Sequence, residues 1–124
     1  MDPQDASAVY FLGALLVQSQ RYGEGLSYLE KAQTMTPDSW ATYFYLGKAH
    51  FQQHDAAAAV RLLRQAVDLN PEDAGSFYLL SRALRIEGQA QEADAAMQHV
   101  VQLHTSSLDA EKRALKDAGV VGAR

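Results

Sequence analysis

Apolar residues recur along this chain at the three- and four-residue steps that mark one face of a helix, in runs separated by polar or proline-containing breaks. Val9, Leu12 and Leu16 fall on one line, with Gly13 beside them, until Gln20-Arg21-Tyr22-Gly23 interrupts the pattern. Leu26, Leu29, Ala32 and Met35 form the next stripe, which Thr36-Pro37-Asp38-Ser39 ends. Proline has no N–H for the helix ladder and pushes the residue before it out of helical geometry. Ser39 or Asp38 is then placed to cap a third helix striped by Tyr43, Leu46, Gly47 and His50. Gln53-His54-Asp55 turns the chain into a fourth, carrying Ala59, Leu62, Leu63, Ala66 and Leu69, which Asn70-Pro71-Glu72-Asp73 stops. Phe77, Leu80, Ser81 and Leu84 predict a fifth helix. Beyond Glu87-Gly88-Gln89, a sixth carries Ala93, Met97, Val100 and Leu103 and closes without proline at His104-Thr105-Ser106-Ser107. A seventh, more charged helix is expected from about Ser107 to Ala118. Ser107 would be its N-cap, Asp109 and Glu111 its first turn, and Gly119 its terminator.

The breaks keep a period. Pro3, Pro37 and Pro71 stand 34 residues apart, and the next step lands on Thr105. The apolar columns keep the same step: Val9, Tyr43, Phe77; Leu12, Leu46, Leu80; Leu29, Leu63, Met97; Ala32, Ala66, Val100. So do the small ones, Gly13, Gly47, Ser81 and Gly25, Ala59, Ala93, which let two helices approach while the large residues fill the space between them. Three copies in one register without insertions resemble the tetratricopeptide repeat, a helix-turn-helix unit of 34 residues. The resemblance implies an all-α, right-handed α-solenoid of seven helices. Residues 6–107 would be three repeats (6–39, 40–73, 74–107), 108–119 a capping helix and 120–124 a tail. Residues 1–5 match the register of Leu69 to Asp73. They are expected to be the remnant of an upstream repeat, or a leader, which makes this chain a piece of a longer array.

Composition narrows the function. A formal charge of −4 supplies no basic footprint for nucleic acid. The uncharged stretch from Ala6 to Gln20 is too short to cross a bilayer and holds Ser7, Gln18 and Ser19, so no membrane insertion is expected. The absence of cysteine removes disulfide and thiolate chemistry and fits a reducing compartment such as the cytoplasm. No nucleophile elbow, phosphate loop or converging carboxylate pair is present, so neither catalysis nor a cofactor is expected. His50 and His54 stand four apart on a helix, a spacing open to a metal. His50 shares a packing column with Leu16 and Leu84, however, and is read as a core-edge residue; no metal is expected.

The expected site lies on the first helix of each repeat, which the resemblance implies lines a concave groove. One face of those helices carries Tyr10, Ala14 and Val17, then Phe44, Lys48 and Phe51, then Tyr78, Arg82 and Arg85, each set 34 residues from the next. Gln18 and Gln52 fall near its edge. Aromatic at one end and basic at the other, such a face suits a short protein segment, or a partner's helix, bearing an apolar anchor and an acidic group. One subset of the family grips the carboxylate end of chaperone tails with lysines and asparagines on these helices. At the matching positions this chain has Tyr10, Ala14, Tyr45, Gly75 and Leu79, so that mode is not expected. The alternative to groove binding is structural: a segment of a longer array, or self-association through the first helix.

Overall fold

A computed structural model describes residues 5–119. It contains six α-helices and no strand among those residues: α1 (Ala6–Gln18), α2 (Tyr22–Met35), α3 (Trp40–Gln52), α4 (Ala56–Leu69), α5 (Ala74–Ile86) and α6 (Ala90–Asp117). They pair in sequence as α1–α2, α3–α4 and α5–α6, and each pair stacks on the next through α2–α3 and α4–α5, giving an α-solenoid. The expected upstream remnant lies, apart from Asp5, outside the described residues, as does the tail from residue 120.

Helix starts follow the carboxylates. Asp5 accepts from the Ser7 amide at 2.9 Å, Asp55 from the Ala58 amide at 3.1 Å, and Asp73 from both the amide and the hydroxyl of Ser76, at 3.0 and 2.7 Å. Ser39 occupies the N-cap of α3 but its side chain makes no capping bond. Between repeats, the chain turns at each proline, and the Tyr43 hydroxyl donates to the Pro37 carbonyl at 2.8 Å, tying the third helix to the preceding turn.

Within each repeat the turn is the same device three times. Gln20, His54 and Gly88 have φ of 66°, 66° and 79°. The residue after each donates back to Leu16, His50 and Leu84, at 2.8, 2.9 and 2.9 Å, as in a left-handed helix terminus. Only Gly88 adopts this conformation without a Cβ penalty. His54→Gly is therefore expected to raise the unfolding free energy by about 1 kcal/mol, read from the urea midpoint. An unchanged or lower midpoint would contradict the strain.

The third repeat departs from the expected seven helices. No break occurs near residue 105: α6 runs for 28 residues, with Ser107 inside it rather than capping a new helix. Thr105 replaces the proline that ends α2 and α4, keeps its own N–H, and turns its hydroxyl back onto the Val101 carbonyl at 2.9 Å. The sixth and seventh expected helices are thus one. The segment expected as a cap does not fold back over the array: α6 packs through its first half, on α5 and, by Ala93 and the Arg64–Glu92 ion pair, on α4, while residues 104–119 are exposed throughout.

Two apolar clusters hold the stack. One joins Val17, Leu29, Leu46 and Ala49; the other joins Ala59, Val60, Leu63, Leu79, Leu80, Ala83, Leu84 and Ala93. Where the helices of a pair cross, small residues sit against large ones. A Cβ on Gly13 would stand 2.7 Å from Leu29 Cγ, one on Gly47 at the same distance from Leu63 Cγ, and one on Gly25 2.7 Å from Val17 Cγ2. In the third repeat Ser81 takes the glycine's place, buried, its hydroxyl donating to the Ala93 carbonyl at 2.8 Å.

Candidate partner-binding groove

Stacking brings the first helices α1, α3 and α5 side by side, so residues 34 apart become neighbours across the array. Two hollows open there. One, of 310 Å³, is lined by Tyr10, Trp40, Ala41, Phe44, Tyr45, Asp73 and Gly75. The other, of 370 Å³, is lined by Phe51, Tyr78, Ser81, Arg82, Arg85, Ile86 and Met97. A larger hollow of 590 Å³ lies between the second helices α2 and α4, with a mostly polar lining that includes Glu30, Gln33, His50, Asp55 and Arg61.

The expected groove residues divide unequally. Ala14 and Val17 are 6% and 1% exposed, and Val17 belongs to the core cluster at the first joint; neither is available to a partner. The reason is the stack itself. In the first repeat this face is roofed by the second, whereas no further repeat covers the third among the described residues. Tyr10 and Phe44 are half-buried, lining the 310 Å³ hollow, and Tyr10 packs edge-on against Tyr45 with ring centroids 6.0 Å apart. Burial, and after it the neighbouring Tyr45, raises the Tyr10 phenol above the ordinary tyrosine range, so it stays neutral. Lys48 reaches over the Tyr45 ring, 6.0 Å from its centroid. Gln18, expected at the edge, donates to the Tyr45 hydroxyl at 2.9 Å, and Gln52 is exposed.

The structure brings Phe51, Tyr78, Arg82 and Arg85 together around the 370 Å³ hollow. The Arg82 guanidinium lies 5.0 Å from the Phe51 ring centroid and 5.9 Å from that of Tyr78, a cation held between two aromatic faces. It makes no ion pair among the described residues. Arg85 is different. It donates to Asp94 at 2.9 Å, so part of the expected basic character is already neutralised.

Sequence reasoning missed Asp94, Trp40 and Tyr45 as parts of this surface. The signal for Asp94 was in the register. The column Val17, Phe51, Arg85 and the column Leu26, Val60, Asp94 turn charged together in the third repeat, as expected of two positions in contact. The two histidines do not share a helix: His50 is on α3, with Nδ1 3.7 Å from Asp55, and His54 is in the turn that follows; no cluster of three metal-ligating side chains occurs among the described residues. No helix there is long and apolar enough to cross a membrane.

Comparison with known proteins matches the repeat directly. The family model "Tetratricopeptide repeat" matches residues 16–74. A curated relative, the BBSome complex member BBS4 of Xenopus tropicalis, is 26% identical over 92 residues, covering 74% of this chain; the chain spans only 18% of that protein's length. Among solved structures, a double mutant of MamA RS-1 superposes with a TM-score of 0.80 at 25% identity, covering 85% of this chain and 59% of that one. The second TPR of Spaghetti (RPAP3), bound to the HSP90 peptide SRMEEVD, gives 0.77 at 16% identity, covering 82% and 94%. With the 34-residue register, the paired helices and the small-residue crossings, these matches identify residues 16–74 as tetratricopeptide repeat and give the three helix pairs the fold of solved tetratricopeptide-repeat proteins.

Proposed function

We propose that the chain holds a short segment of a partner protein against the first helices of its second and third repeats, and that the segment places an acidic group beside an aromatic or aliphatic residue. The fold is a protein-interaction scaffold, and binding without catalysis is the function it supports. The observation that carries the finer reading is Arg82, a cation stacked between Phe51 and Tyr78 at the rim of a 370 Å³ hollow, with no carboxylate partner among the described residues. A guanidinium so placed offers its edge to a carboxylate while the rings offer apolar area at little entropic cost. Lys48 and Gln52 extend the surface toward the second repeat, and Phe44, Tyr10 and Tyr45 line the 310 Å³ hollow beyond.

The RPAP3 neighbour holds an acidic peptide, but this chain would meet an acid by another geometry. The positions at which the chaperone-tail subset carries its cations and amides are Tyr10, Ala14, Tyr45, Gly75 and Leu79 here, none of them basic.

The test is peptide binding by fluorescence anisotropy, using a panel that pairs acidic residues with aromatic or aliphatic ones. Binding at roughly micromolar Kd is expected for an interface this small. Arg82→Glu should weaken it by at least about tenfold, since an ion pair becomes a like-charge contact. Lys112→Glu, on the outlying part of α6, should leave it unchanged. Helicity should be the same in all three proteins. Equal binding by the Arg82 variant, or a preference for neutral peptides, would overturn the reading.

A further inference from the structure

Trp40 breaks the pattern of its column. The equivalent positions in the other repeats are Ala6 and Ala74, so the stacking of helices does not call for a large ring there. Trp40 belongs to neither apolar cluster and stands half-buried in the wall of the 310 Å³ hollow. Tyr10, Phe44 and Tyr45, also half-buried, complete an aromatic lining. Its rings are held in place. Tyr45 meets Tyr10 and Phe44 edge-on, with centroids 6.0 and 5.1 Å apart, and its hydroxyl accepts from Gln18 at 2.9 Å.

The remaining side of the hollow is a carboxylate. Asp73 caps α5, and both bonds it accepts from Ser76 use Oδ2. Oδ1 accepts no bond, and Asp73 enters no ion pair, among the described residues. Gly75 keeps the space before it open. A Cβ there would stand 3.6 and 3.9 Å from the two carboxylate oxygens and 3.9 Å from Phe44 Cε1, so carboxylate and ring flank one point. Aromatic faces are negative, and tryptophan's attracts a cation best. The full charge of Asp73 outweighs the roughly half charge of opposite sign at the helix end it caps. Lys48, 6.0 Å from the Tyr45 centroid, shows the same attraction within the chain.

We propose that this hollow binds a basic side chain, lysine or arginine, of the partner segment. The inference rests on the groove reading above and adds a register to it: the Trp40 hollow takes the base and the Arg82 hollow takes the acid, so the segment lies along the first helices in one direction. An apolar anchor would suit the rings but would take water from Asp73 without replacing its bonds.

Trp40 is the only tryptophan of the chain, so its fluorescence reports on the hollow directly. The probes are the blocked tripeptides Ala-Lys-Ala and Ala-norleucine-Ala, titrated into the full chain at constant ionic strength. The lysine probe is expected to bind at least about fivefold tighter. Asp73→Asn, which keeps a capping side chain at that position, should remove most of the preference. Gly75→Leu, whose Cβ meets nothing closer than 3.6 Å, should fill the hollow and weaken the lysine probe by about tenfold or more. Asp109→Asn, which removes the same charge from the outlying part of α6, should leave the preference unchanged. Circular dichroism should be the same in all four proteins. Equal affinity of the parent for the two probes, or a lysine preference that survives either substitution in the hollow, would overturn the proposal. The probes carry no acid, so the result is read independently of Arg82. Acidic peptides captured by a chain that shows no lysine preference would refute the cation site and leave the groove standing.

Discussion

Leu63→Ala is expected to cost the array about 3 kcal/mol of unfolding free energy, within the 2–5 kcal/mol range for emptying a buried leucine site. Leu63 is 0% exposed and stands where three elements meet: against Gly47 of α3, and in one cluster with Val60 of its own helix and Leu79, Leu80 and Ala83 of α5. The substitution therefore loosens both the pairing inside the second repeat and the joint to the third. Neither side can close over the void, because the glycine opposite has no side chain to move in. A domain of this size is stable by only about 5–15 kcal/mol, so the loss is a large share of the total. Urea unfolding followed by circular dichroism should show the midpoint fall steeply. Leu69→Ala on the same helix, half exposed, should cost less than about 1 kcal/mol. If the two variants unfold alike, the core is not where the structure puts it.

The repeat was legible in the sequence because one physical requirement is met three times. Each pair of helices must cross closely, so small residues face large ones at a fixed step, and each pair must turn, so a left-handed residue and a proline recur at the same step. The end of the array was less legible, for the reason that periodicity identified the rest. Thr105 breaks the period, and a broken period says that something changes without saying what. Reading Ser107 as a cap required the helix to stop first, and no residue between Val101 and Asp117 obliges it to. The groove was legible as a set of columns but not in its exposure. Tyr10, Phe44 and Tyr78 fall in one column, as do Val17, Phe51 and Arg85. Whether a column member faces a partner or the next repeat depends on whether a repeat follows. That is why Val17 is core and Arg85 is surface at equivalent positions.

The crossing points predict a coupling that neither position shows alone. In the first two repeats a glycine faces a leucine, Gly13 with Leu29 and Gly47 with Leu63, at a distance that leaves no room for a Cβ. In the third, serine faces methionine in the same columns: Ser81 is buried, bonded to the Ala93 carbonyl, and shares a hollow with Met97. Leucine branches at Cγ, the atom that a Cβ on Gly47 would strike at 2.7 Å, whereas methionine is unbranched there and can swing aside. Gly47→Ser alone should therefore cost about 2 kcal/mol, through overpacking against a leucine with nowhere to go. Leu63→Met alone should cost about 1 kcal/mol, a near-isosteric exchange at a buried site. Together they rebuild the arrangement of the third repeat, with the new hydroxyl directed at the Ala59 carbonyl, which lies 3.5 Å from the added Cβ. The double variant should then be more stable than the sum of the single losses by at least about 1 kcal/mol, the size expected for residues in direct contact. The four proteins of this cycle, unfolded in urea at equal slope, measure it. A sum that is merely additive would mean that the glycine at the crossing is set by backbone approach to Ala59 rather than by the leucine across from it.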